Sequence, residues 1–121
     1  MSALIGEIAK LKQIQQSLSA AANRTDAERK METVALRRLL AVQVGIVGKA
    51  AEQDFLPNAD AELAREFRQL ISAMRRAIAL HQANFPAVRM DEQSNEYHDS
   101  VKDVRTANAN FFKWANVHLA A

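Results

Sequence analysis

An almost uninterrupted apolar run in the first half of the chain constrains the fold more than any other feature. Residues 39–48 (LLAVQVGIVG) include a single polar side chain, Gln43, whereas the flanking sequence alternates polar and apolar positions at helical spacing. A helix that is apolar on nearly all sides is expected to be covered on nearly all sides. The cover is either several helices of the same chain or a second protein, so the run bears on whether this protein acts through a partner.

The run is predicted to be helical rather than a β-strand. Val42, Val44 and Ile46 are β-branched, which suits a strand. However, no second segment has the pattern of a strand that could pair with it, and an unpaired strand leaves its backbone groups unsatisfied. The chain also has only three glycines and two prolines in 121 residues, a balance that favours helix.

The sequence predicts four amphipathic helices. They cover about residues 2–23, 25–56, 60–84 and 94–118. The second is expected to begin at a Thr25–Glu28 capping box, the third at Asn58 or Asp60, and the fourth at Ser94. Four such helices with short connections form, most simply, an antiparallel up-down-up-down four-helix bundle with a long second helix. The length predicts a single domain over residues 1–121.

Composition narrows the classes of function. The absence of cysteine excludes disulfides, thiolate metal sites and a cysteine nucleophile. The chain start lacks the basic residues and long apolar region of a secretory signal, and no stretch approaches the roughly 18 apolar residues that span a bilayer. We therefore expect a cytoplasmic protein that does not bind membranes. Sixteen basic and fourteen acidic side chains nearly balance, so nucleic-acid binding is possible but not indicated.

The histidines are the first candidates for a metal or catalytic site. Neither the Glu-x-x-His pairs of di-iron bundles nor a His-Glu-x-x-His motif occurs. Antiparallel pairing of the last two helices would bring His81 near His98 and Asp99. A single histidine on a helix seam is more often a hydrogen-bonded boundary residue than a ligand. We therefore predict no metal, no cofactor and no catalytic residue.

Arg76 and His81 are separated by four residues. This spacing resembles the ribonuclease motif of the HEPN family, whose members are helical bundles of similar size. The resemblance covers six positions, and Ala77 stands where the family usually has a polar residue. It implies RNA cleavage, which ranks third among the functions considered.

Small residues form a stripe on the second predicted helix. Ala41, Gly45 and Gly48 share one side of it. Glycine within a helix costs about 1 kcal/mol relative to alanine, and close approach of another helix would offset that cost. Whether that helix belongs to this chain or to a second copy remains open. With Val44, the two glycines are candidate protein-binding residues.

The last predicted helix holds four of the seven aromatic residues. Phe112 and Trp114 lie about 100° and 300° around the helix from the seam residue Phe111. They are either anchors for a partner or part of a broad core face. We predict a non-enzymatic helical interaction module, an adaptor, regulator or chaperone-like subunit, that binds another protein or forms a homodimer through the second helix. The alternative is a subunit of a nucleic-acid-binding complex.

Overall fold

The computed structural model describes residues 2–92 and 94–119, and all regular structure in that part of the chain is helical. The helices are α1 (Ser2–Ala22), α2 (Arg29–Asp54), α3 (Ala61–Asn84) and α4 (Asn95–His118). Short 3₁₀ turns at Leu56–Asn58 and Ala87–Arg89 follow α2 and α3. The predicted all-α, four-helix class is confirmed. The chain groups into two compact units that divide between Asn58 and Ala59, and the prediction of a single domain stays a prediction.

The first unit is an antiparallel hairpin of α1 and α2, called here the first hairpin. Gln43 Nε2 donates to the backbone oxygen of Glu7 and to its Oε2, each at 2.9 Å, which places the start of α1 beside the later half of α2. Arg24, just past the end of α1, forms an ion pair with Glu32 in the first turn of α2. The buried apolar residues of this hairpin are Leu4, Ile8, Leu11, Ala21, Leu40, Val44, Val47, Ala51 and Phe55.

The second unit is an antiparallel hairpin of α3 and α4, the second hairpin. Phe67, early in α3, lies 5.9 Å from both Phe111 and Trp114, late in α4, measured between ring centroids. At the other end, the rings of Phe85 and Tyr97 are 5.4 Å apart, edge to face. These contacts pair residues whose numbers add to nearly the same sum, as antiparallel helices require.

Two of the predicted helix starts are confirmed by side-chain caps. Asp60 Oδ1 accepts a hydrogen bond from the Leu63 amide at 2.8 Å, and Ser94 Oγ accepts one from the Tyr97 amide at 3.1 Å. Each cap satisfies one of the amides that the first turn leaves without a backbone partner. The predicted ends of α2 before Pro57 and of α3 at Asn84 agree with the structure within two residues.

The predicted start of α2 is wrong. The helix begins at Arg29, and its N-cap residue Glu28 makes no side-chain cap hydrogen bond. The cause lies in Asp26, whose carboxylate binds the Arg24 guanidinium through two hydrogen bonds of 2.7 and 2.6 Å. The Arg24 contact lowers the pKa of Asp26, and bonds from backbone amides, including that of Glu28, lower it further. Asp26 thus holds the segment before α2 in a turn, and Thr25 does not cap the helix.

Candidate interaction surfaces

The apolar run at residues 39–48 divides between two opposite sides of α2. Leu40, Gln43, Val44 and Val47 are buried. Other apolar side chains of the same run remain exposed, most of all Val42, at 62% of its full exposure. Within the first hairpin only one side of the run is covered, and the expectation that the run is covered on nearly all sides stays a prediction.

The exposed side of α2 forms a continuous apolar stripe. Its members are Met31, Ala35, Leu39, Val42 and Ile46, and we call them the α2 stripe; all five are exposed. At 100° per residue they fall within an arc of about 80°, and they extend about 22 Å along the helix. The buried residues of α2 are centred on the opposite side. A helix in a small hairpin needs one apolar face, and α2 has two.

Of the predicted α2 contact residues, Val44 lies on the buried side of the helix. It is only 5% exposed and belongs to the interior of the first hairpin. Gly48 is half-buried, while Gly45 is exposed. A Cβ atom added at Gly45 would meet no atom within 4 Å. Within the first hairpin, α1 therefore does not pack closely against α2 at Gly45, and the exposed apolar side chains nearby are those of the α2 stripe.

The structure incorporates Trp114 into the second hairpin. Its Nε1 donates to Glu66 Oε2 at 2.8 Å, and the ring lies 5.9 Å from Phe67 and 5.0 Å from His118. Phe112 is half-buried, and its ring lies 5.6 Å from that of Phe111. This is the arrangement expected of a broad core face with the indole N–H satisfied at the edge. A role of either residue in partner binding stays a prediction.

His81 is a boundary residue of the second hairpin. Its Nδ1 lies 2.8 Å from Ser100 Oγ on α4, and its ring lies 5.5 Å from that of Phe85 and 5.6 Å from that of Tyr97. His98, by contrast, is exposed. Among residues 2–92 and 94–119, no group of three or more His, Asp or Glu side chains is arranged to hold a metal ion.

The two residues of the HEPN-like spacing do not converge on one site. Arg76 and His81 lie about 140° apart around α3. Arg76 is exposed, whereas His81 is half-buried against α4. A pair acting together on one phosphodiester would need both groups to reach the same atoms.

An exposed basic surface lies on α3, which the nearly balanced net charge of the chain does not indicate. Arg65, Arg68, Arg75 and Arg76 are all exposed and fall within an arc of about 100°. Arg65 forms an ion pair with Glu62. In the sequence, the signal for this surface is the spacing of Arg65 and Arg68 relative to Arg75 and Arg76 along one predicted helix.

No protein-family model matches the chain, and neither curated proteins nor solved structures gave a match. Within the described residues, no helix combines the length and apolar character needed to cross a bilayer.

Proposed function

We propose that this protein is a helical protein-interaction module and that the α2 stripe is its contact surface. The observation that supports this is the second apolar face of α2, exposed on the side opposite the interior of the first hairpin. Contiguous exposed apolar side chains on a folded protein typically mark interaction sites, whereas single ones do not. Helix-in-groove and helix-on-helix contacts use side chains at this spacing.

The size of the stripe predicts a reversible contact. Fully burying one large aliphatic side chain contributes about 1.5–3 kcal/mol, and the stripe residues are already partly covered. The four large members together therefore contribute about 4–6 kcal/mol, close to the lower end of the cost of association. Flanking polar contacts are needed to reach micromolar affinity. An adaptor or regulatory subunit that binds and releases its partner fits this range, and the cysteine-free composition suits a reducing cytoplasm.

The test is a pair of matched valine substitutions. Val42 and Val117 are 62% and 67% exposed, and only Val42 belongs to the α2 stripe. The full-length chain, Val42→Asp and Val117→Asp are compared by sedimentation velocity and by purification with bound proteins from the native cell. We expect Val42→Asp to abolish association, with itself or with another protein, and Val117→Asp to retain it. Association that survives Val42→Asp, or is absent from all three, argues against the proposal.

The arginine surface of α3 favours nucleic-acid binding as a second candidate function. Arg68, Arg75 and Arg76 form no ion pair among the described residues, and clustered guanidinium groups contact phosphates. Arg68→Ala/Arg75→Ala is compared with Arg38→Ala, an exposed arginine on α2, for salt-dependent binding to single-stranded and duplex RNA. Weakening by the α3 variant alone supports this candidate. Binding that is absent at low salt, or unaffected by the α3 variant, rejects it.

A further inference from the structure

We propose that the partner of the α2 stripe is a second copy of this chain, docked antiparallel so that Glu28 of each copy faces Lys49 of the other. This rests on the proposed function and specifies its partner. The observation behind it is the pair of charged residues that bound the stripe. Glu28 precedes Met31 by three residues, and Lys49 follows Ile46 by three residues.

Both charged residues belong to the same side of α2 as the stripe. At 100° per residue, Glu28 and Lys49 fall within the 80° arc of the apolar members, and both are exposed. Neither forms an ion pair within the described chain. The stripe is therefore an apolar strip about 22 Å long with an unpaired acid at one end and an unpaired base at the other.

An antiparallel second copy matches this order toward both ends of the stripe. With a twofold axis between residues 38 and 39, Met31 lies opposite Ile46 of the second copy, and Ala35 lies opposite Val42. Each contact then occurs twice, as a twofold interface requires. Alanine facing valine combines a small and a larger side chain, which allows the helices to approach closely. The same register brings each Glu28 to Lys49 of the second copy, so two opposite-charge contacts close the ends.

A parallel arrangement lacks this complementarity. In register, it would place Glu28 against Glu28 of the second copy and Lys49 against Lys49, and like charges facing each other are destabilising. In the antiparallel arrangement the two Arg38 residues lie beside the twofold axis, where each stem can lie along the apolar strip while its guanidinium stays in water.

Cross-linking tests the orientation directly, because the chain contains no cysteine. Glu28→Cys and Lys49→Cys are treated with a short bis-maleimide, separately and mixed. Glu28 makes no side-chain cap hydrogen bond to α2, so this substitution removes no cap. We expect a covalent dimer in the mixture and little from either variant alone. Lys12→Cys, exposed on α1, is the control and should give no dimer in any combination.

Charge reversal tests the pairing. Glu28→Lys should weaken self-association about tenfold, since two attractive contacts become repulsive. The double variant Glu28→Lys/Lys49→Glu should restore the original dissociation constant, because each contact then has its opposite charges exchanged. A dissociation constant that rises in Glu28→Lys and returns to its original value in the double variant, with unchanged helical content in both, supports the proposal.

The outcomes separate this inference from the proposed function. Covalent dimers from each cysteine variant alone indicate a parallel pair and overturn the antiparallel proposal. A chain that stays monomeric, yet binds a different protein in a manner lost in Val42→Asp, overturns the second copy as partner and retains the α2 stripe as a contact surface. Association that is indifferent to Val42→Asp rejects both.

Discussion

The two hairpins are about equal in length and differ in how they use their apolar residues. Six of the seven aromatic residues belong to the second hairpin, and Phe55 alone belongs to the first. In the second hairpin, ring contacts link α3 to α4 from Phe67 to Tyr97, and the outer side of α3 carries arginines. In the first hairpin, smaller aliphatic residues fill the interior, and a second apolar face remains exposed on α2.

The two hairpins therefore leave different amounts of apolar surface exposed. An aromatic side chain buries a larger area than an aliphatic one. In the second hairpin, most of the large apolar side chains lie on one face of α3 and one face of α4, where they pack against each other. The apolar residues of α2 exceed what one hairpin interface covers. The apolar surface that a hairpin leaves uncovered is therefore largest on the first hairpin, although aromatic residues are the commoner anchors of interfaces.

The largest expected effect comes from placing a charge on each side of α2. Val47 is fully buried, and Val42 is 62% exposed. Val47→Asp buries an unpaired carboxylate and should lower the free energy of unfolding by about 5 kcal/mol, enough to unfold a marginally stable protein. Val42→Asp should change it by less than about 1 kcal/mol. Urea denaturation followed by circular dichroism checks both, and equal losses would show that the two sides of α2 do not differ as described.

The next largest effect compares the two interiors. Phe111 and Leu11 are both fully buried, one in each hairpin. Phe111→Ala should cost about 4 kcal/mol and Leu11→Ala about 3 kcal/mol, because the larger side chain leaves the larger cavity. The free energies of unfolding from urea denaturation measure both. A greater loss for Leu11→Ala would contradict the view that aromatic packing is the stronger of the two.

A smaller effect compares the helix starts. Asp60→Ala removes the cap of α3 and should cost about 1 kcal/mol. Thr25→Ala removes no helix cap and should cost less than about 0.5 kcal/mol. Thermal unfolding of the two variants distinguishes them. A loss at Thr25 as large as that at Asp60 would restore the capping box that the sequence predicts.

How far the sequence predicts this fold depends on the range of the interactions involved. The caps at Asp60 and Ser94 involve residues three apart, and both were predictable. The start of α2 was not, because the Arg24–Asp26 contact competes with the capping pattern. Periodicity identifies apolar positions but does not reveal which of two apolar sides a neighbouring helix covers. For that reason the sequence pattern does not distinguish Val44, which is buried, from Val42, which is exposed.

Replacing Gly45 with alanine is expected to raise the free energy of unfolding, whereas the substitutions above lower it. A Cβ at this exposed helical position meets no atom of the described chain within 4 Å, and the same is true at Gly6 on α1. Gly45→Ala and Gly6→Ala should therefore each raise the free energy of unfolding by about 0.5–1 kcal/mol. Measurement at low protein concentration isolates the single chain. Destabilisation by Gly45→Ala alone would show that another helix approaches α2 there.

The smallest effect concerns pH and the Gln43–Glu7 contact. The hydrogen bond from Gln43, followed by that from Lys10, lowers the pKa of Glu7 below its ordinary value of 4.5. A lowered carboxyl pKa contributes stability that is present above the unfolded pKa and is lost as the pH falls through the folded pKa. Gln43→Leu removes the main cause, so its free energy of unfolding should decline less than that of the wild type below about pH 4.5. If the free energies of unfolding of the two proteins fall equally as the pH is lowered, the Gln43 hydrogen bond is not the main cause of the lowered pKa of Glu7.

The uneven distribution of aromatic residues also makes the protein its own optical probe. Trp114 is the single tryptophan, and it lies against Phe67 with its indole bound to Glu66, within the second hairpin. Its fluorescence therefore reports on α3 and α4, whereas far-ultraviolet circular dichroism reports on all four helices. Unfolding curves from the two signals coincide if the hairpins unfold together and separate if they do not. One unlabelled sample can thus measure the cooperativity between the two halves of the chain.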